Sequence, residues 1–173
     1  MAASSGPDVI DTGLVLALDA ADRNSYPGSG TTWRDLSGNG RNGTLNGVGY
    51  NSANGGSLSF DGVNAYVDFG NSSVFNQSGG KSFTITCWAL FNSATQNHNP
   101  VFNKIGLNGT WEYTLGLNSS REVSWLTSSN GTSWVGTGVG ETISLSTWYY
   151  YSCLLYTSPS PRDLSTSRMP SSA

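Results

Sequence analysis

The chain has 173 residues, of which 11% are charged and 36% hydrophobic, and its formal net charge at pH 7 is −3. That length accommodates one domain with a proper core and crowds two, and an acidic balance without any Lys/Arg cluster argues against a nucleic-acid partner. Glycine accounts for 22 residues, yet aromatics reach 12% with six Trp, which favours a folded, turn-rich β protein over a disordered one.

Residues 1–12 read as an N-terminal arm. Met1–Gly6 lack the basic and apolar regions of a secretory signal. The apolar run Leu14–Leu18 is far too short to span a bilayer, so membrane insertion is not expected. Gly13–Asp19 reads as a first strand with Leu14, Leu16 and Leu18 on one face. Tyr26-Pro27-Gly28-Ser29-Gly30 closes a polar loop, and Thr31–Trp33 is a brief extended piece. Residues 35–43 (DLSGNGRNG) make a dense turn region before Thr44-Leu45.

In Ser57–Phe69 (SLSFDGVNAYVDF), Leu58 and Phe60 alternate with serines, Asp61–Asn64 supplies turn chemistry, and Tyr66–Phe69 is extended again. Phe83–Phe91 (FTITCWALF) is the strongest strand. Its alternate residues share one apolar face, while Trp88 and Leu90 make the other face partly apolar, the pattern of a central strand covered on both sides. Val101–Ile105, Trp111–Leu117, Val123–Leu126, Ser133–Val135 and Trp148–Tyr151 complete the predicted strands. Six Asn-Gly pairs suit tight turns between twisted strands, and no helix of convincing length appears. The reading is all-β, with many short antiparallel strands in two packed sheets.

From Cys153 onward the alternation stops and three of the six prolines fall. CLLYTS resembles the translation of the transposon-end sequencing adapter CTGTCTCTTATACACATCT read from its second base, and PSPRD and SRMPSSA continue in register. Residues 153–173 are therefore expected to be a disordered, non-native tail. On that reading the genuine sequence stops near Ser152, the domain over residues 13–152 is incomplete, and loss of Arg162, Asp163 and Arg168 moves the net charge to −4.

Three ordered motifs carry a family resemblance: GLVLALDAADRNSYPGSGTTWRDLSGNGRNGTL, GGSLSFDGVNAYVDF and SFTITCWALF. Together they resemble the laminin-G-like branch of the concanavalin A-like lectin/glucanase superfamily, in the form carried by tailed-phage and marine viral structural proteins. The resemblance implies a two-sheet antiparallel jelly-roll sandwich that holds ligands on a concave face or in rim loops. It also implies a setting on a virion, with a glycan or a virion protein as partner. An extracellular adhesion module is the alternative, as is the non-catalytic fragment of a glycan-cleaving enzyme.

The residues themselves say less about chemistry. Glucanases on this fold place paired carboxylates on one strand, whereas Glu112, Glu122 and Glu141 have no acidic partner at strand spacing, so no catalytic residue is expected. The lone His98 reads as a solvated loop residue, and Cys87 as a small core residue. Asp35-x-Ser37-x-Asn39-Gly40 matches the opening of a calcium loop, but Asn46 stands where a bidentate Glu should close it. Asp61 and Asn64 offer oxygens in a turn where the resemblance implies a calcium ion, against an Asx-turn that serves only its own backbone. Calcium is the one cofactor the sequence raises. Trp111, Trp125 and Trp134, set among Asn, Ser and Thr, are either core residues or platforms for a sugar's C–H face. The Asn-x-Ser/Thr sequons at Asn42, Asn71, Asn76, Asn108, Asn118 and Asn130 arise from Asn-Gly-Thr-like turns and are not expected to be used.

Overall fold

The computed structural model describes residues 12–76, 82–105, 111–128 and 131–155. The protein is all-β: eleven strands paired throughout in antiparallel fashion, with two 3₁₀ turns at Ala53–Gly55 and Ser73–Phe75 among the described residues. It divides into two compact units, Met1–Val74 and Phe75–Ala173.

In the first unit, β1 (Thr32–Trp33), β2 (Gly43–Asn46) and β5 (Tyr66–Asp68) form a three-stranded sheet with β2 in the middle. Leu45 of β2 is buried, and a Cβ on Gly43 would run into the Val67 and Phe69 side chains. β3 (Gly49–Asn51) pairs with β4 (Ser57–Ser59) across the Ala53–Gly55 turn. The stretch around Asp61 is thus a strand, a turn and a strand, but its two strands pair with different partners, β3 and β2. The Asp61 side chain explains why. Its Oδ1 accepts the N–H groups of Val63, Asn64 and Ala65 at 2.9, 3.1 and 3.0 Å, holding a wide loop rather than a two-residue hairpin. Phe60 consequently stays 53% exposed.

Gly13–Asp19, expected as a strand, forms no ladder. Its backbone is taken up by the 35–41 loop: Ala17 N–H donates to Asp35 Oδ1, Ala17 O accepts from Leu36 N–H, and Val15 O accepts from the Arg41 guanidinium. Side-chain and backbone groups of this loop take the place of a sheet partner here.

The second unit is sandwich-like. A four-stranded sheet runs in the order β10 (Val135–Thr142), β9 (Glu122–Thr127), β8 (Trp111–Leu117), β7 (Asn99–Ile105). A two-stranded sheet pairs β6 (Phe83–Leu90) with β11 (Trp148–Leu155) over eight residue pairs. Alternation decides which residues face inward. Tyr113, Leu115 and Leu117 from β8, with Trp125 from β9, pack against Phe83, Ile85, Cys87 and Ala89 of β6 and against Tyr149, Tyr151, Cys153 and Leu155 of β11. Burying each large apolar side chain contributes about 1.5–3 kcal/mol. Phe83 lies 4.7 Å from Tyr113 and 6.0 Å from Trp125 between ring centroids, so an aromatic cluster joins the two layers. Pro100 is tolerated in β7 because β7 is the edge of its sheet and carries a register irregularity there.

Two strands depart from expectation. β10 was expected only over Ser133–Val135, because the glycine-rich VGTGVGET that follows has little apolar signal. Its pairing with β9 supplies what composition does not, and at Gly136 a Cβ would stand 2.6 Å from Leu126 Cδ2. β11 runs on to Leu155, past the expected boundary at Ser152, since Cys153 and Leu155 continue the inward alternation of Tyr149 and Tyr151. The rest of the expected tail, 156–173, lies outside the described residues, as does most of the expected arm at 1–12.

Candidate ligand-binding face

The alternation that sends Phe83, Ile85, Cys87 and Ala89 into the core turns Thr84, Thr86 and Trp88 outward. On β11 the outward residues are Trp148, Tyr150, Ser152 and Leu154. The register sets Trp88 opposite Tyr150, Leu90 opposite Trp148, Thr86 opposite Ser152 and Thr84 opposite Leu154. Trp88 is 66% exposed, Tyr150 55%, Leu154 49% and Trp148 47%. The Trp88 and Tyr150 ring centroids are 5.5 Å apart with planes at 53°, a shallow aromatic V held on a regular ladder. None of these eight side chains carries a formal charge.

β6 was expected to be a central strand covered on both sides. Among the described residues its outer face is instead open, and Trp88, read as part of a covered face, is the most exposed aromatic of the set. The turn leading into β11 brings polar groups to the Trp148 end: Ser146 N–H donates to Phe91 O at 2.7 Å, and Ser146 Oγ bonds Asn92 Oδ1 at 3.1 Å. Behind the face, Tyr151 and both cysteines are set into the core. Burial, with smaller contributions from Cys87 and Tyr149, pushes the Tyr151 phenol up to about 12. Burial alone raises the Cys87 thiol and pushes Cys153 up to about 11. The face is therefore backed by groups that stay neutral at physiological pH.

The residues singled out from sequence distribute differently. Trp125 is a core residue at 7% exposure, which corrects the platform alternative for it. Trp134 is half-buried ahead of β10, and the Trp111 side chain lies outside the described residues. His98 does lie in the loop ahead of β7, but it is not solvated. It is half-buried, and its Nε2 lies 2.7 Å from Thr114 Oγ1. Thr114 gives its one hydroxyl proton to Phe102 O, so Nε2 carries the imidazole proton and donates. The other nitrogen, Nδ1, is buried without a partner, and burial lowers the pKa of this histidine.

The calcium candidates serve the backbone. Asp35 Oδ1 accepts from Ala17 N–H at 3.1 Å and Ser37 N–H at 2.9 Å, while Oδ2 accepts from Ser37 Oγ at 2.8 Å and Arg41 N–H at 3.0 Å. Burial alone would raise this carboxyl, but the hydrogen bonds from Ala17, Ser37 and Arg41 outweigh it and hold the pKa below 3.8. Asn39 presents its amide NH₂ to Leu14 O, Val15 O and Ser37 Oγ, a donor where a cation needs an oxygen. The Asp35–Asn39 arrangement does not fit a cation. At Asp61, Oδ1 is spent on three N–H groups, which lower its pKa, and what remains with Asn64 falls well short of the six to eight or so oxygens calcium takes. Among the described residues no three His, Cys, Asp or Glu side chains gather in a group that could hold a metal. Glu112, Glu122 and Glu141 sit on three different strands, β8, β9 and β10. No helix among the described residues is long and apolar enough to cross a membrane.

Comparison with known proteins adds no relative: no family model, curated protein or solved structure matches the chain.

Proposed function

We propose that this protein is a non-catalytic binding module of the concanavalin A-like, laminin-G-like jelly-roll type, taking a neutral carbohydrate on the outer face of β6 and β11. The observation that carries the reading is the Trp88–Tyr150 pair, two rings side by side on a rigid ladder and both more than half exposed. Pyranose rings present apolar C–H faces that stack on such surfaces, and the hydroxyls of Thr84, Thr86 and Ser152 stand beside the rings to meet sugar hydroxyls. A contiguous exposed apolar patch of this kind marks an interaction surface rather than ordinary surface scatter. The lack of charge on the face argues for a neutral ligand over an acidic one. The three-motif resemblance supports the same reading and suggests the setting, a virion or similar surface assembly in which a neighbouring structural protein is the other partner.

Binding to an array of neutral and acidic oligosaccharides tests the proposal. Neutral glycans are expected to be retained, and Trp88→Ala is expected to weaken retention about 30-fold, the equivalent of roughly 2 kcal/mol for a central aromatic anchor. Because Trp88 is 66% exposed, the substitution leaves the core intact. Retention of no neutral glycan, or equal retention by wild type and Trp88→Ala, would overturn it.

A further inference from the structure

Asn-Gly bonds are chemically labile, because a glycine nitrogen unshielded by any Cβ can reach the preceding side-chain carbonyl carbon. Four such pairs lie wholly among the described residues, at Asn39, Asn42, Asn46 and Asn54. Three of them are held. Asn39 donates its amide to Leu14 O at 2.9 Å, Val15 O at 3.2 Å and Ser37 Oγ at 2.9 Å. Asn42 Oδ1 accepts the Asp35 N–H at 3.0 Å, and the next residue, Gly43, is buried in β2 opposite Trp33. Asn46 is paired in β2 opposite Tyr66 and donates to Thr44 O at 3.2 Å.

Asn54 shares its exposure with Asn39 and Asn42 but differs from all three in backbone conformation and in side-chain hydrogen bonding. It is exposed, it adopts a left-handed φ of 55°, and its side chain makes no hydrogen bond among the described residues. Gly55 and Gly56 follow at φ 94° and 134°, and one long bond, Gly56 N–H to Ala53 O at 3.2 Å, spans the turn.

We infer that Asn54-Gly55 is a spontaneous modification site, the one of these four pairs at which the folded protein converts asparagine to aspartate and isoaspartate. The Gly55 nitrogen loses its proton to solvent and attacks Asn54 Cγ. The Cγ–Nδ2 bond breaks, Nδ2 leaves as ammonia, and a five-membered succinimide closes. Water then opens the ring at either carbonyl. Breaking the new Cγ–N bond gives aspartate, and breaking the original backbone C–N bond routes the chain through the side chain as isoaspartate. One water is consumed and one ammonia released, with no change of oxidation state.

Isoaspartate adds a methylene to the backbone where there is little slack. A Cβ on Gly56 would stand 2.5 Å from the Tyr50 hydroxyl and 2.7 Å from Ala20 O, and Tyr50 packs on Tyr26 at 5.3 Å between ring centroids. The modification therefore adds a negative charge and loosens the β3–β4 hairpin together.

The test is peptide mapping of the folded protein after incubation at mildly alkaline pH, with fragment ions locating each amide-to-acid conversion and separation of the isoaspartyl form. Asn54 is expected to convert at least about tenfold faster than Asn39, Asn42 or Asn46, the factor imposed when one ordinary hydrogen bond must open first. In denaturant the four should convert at similar rates, and the Asn54→Gln variant should remain unmodified at that position. Conversion of Asn39, Asn42 or Asn46 at the pace of Asn54 in the folded protein would overturn the inference. So would an intact Asn54 under conditions that convert all four when unfolded.

Discussion

Replacing Asp35 with alanine should destabilise the first unit more than any other exposed-loop substitution. The carboxylate accepts four hydrogen bonds, three from backbone N–H groups that are 18, 2 and 6 residues away along the chain. Each is worth about 0.5–1.5 kcal/mol net, and solvent access to this partly exposed loop keeps the total near 2–3 kcal/mol. Asp35→Asn keeps one acceptor oxygen and turns the other into a donor facing the Arg41 N–H and Ser37 hydroxyl, so it should recover less than half of that. The pH dependence has a definite sign. The folded-state pKa is lowered below 3.8, so the contribution is present above about 3.8 and is lost as the pH falls through the folded value. Urea denaturation at neutral and acid pH measures the loss, and amide exchange at Ala17 and Arg41 localises it. A change below about 0.5 kcal/mol for Asp35→Ala, with Ala17 exchange unaffected, would refute the hub role.

Leu117→Ala, at a position with 0% exposure in β8, should cost about 2–5 kcal/mol by chemical denaturation. Protonating His98 would put an unpartnered charge on its buried Nδ1, so its pKa is lower folded than unfolded. Stability should therefore be full above about pH 6.5 and fall as the pH drops toward the folded value, and His98→Gln should flatten that dependence in melts taken between neutral and mildly acidic pH. Both cysteines, half-buried with raised thiol pKa values, should react with a disulfide reagent far more slowly in the native than in the unfolded protein at mildly alkaline pH. Calcium addition or chelation should leave the melting temperature unchanged, because both Asp35 oxygens are taken by hydrogen bonds and Asp61 has already spent Oδ1 on three backbone N–H groups.

What the sequence revealed depended on whether local pattern and tertiary pairing agreed. β8 is legible over its whole length, Trp111–Leu117, since Tyr113, Leu115 and Leu117 alternate and face the core. β10 is not, because glycines at alternate positions carry no apolar signal and the strand exists through its register with β9. Leu14, Leu16 and Leu18 have strand periodicity, yet the hydrogen bonds that decide their state come from a loop about twenty residues away. The candidate face was half legible. The sequence shows Trp88 and Leu90 on the second face of β6, but whether that face is covered depends on which strands stack there. The Trp148-Tyr149-Tyr150-Tyr151 run held the missing clue, since antiparallel pairing with β6 brings Trp148 and Tyr150 to the same side as Trp88. Trp125 has the same polar neighbours in sequence that a sugar platform would have, and only packing against Phe83 and Tyr113 assigns it to the core.

The most direct measurement is a calorimetric double-mutant cycle with Trp88→Ala and Tyr150→Ala against a neutral oligosaccharide retained by the wild type. A sugar spanning the two rings at 5.5 Å predicts that each substitution weakens binding, and that the double change costs less than the two single losses combined. Wild-type affinity in both single variants would contradict the account.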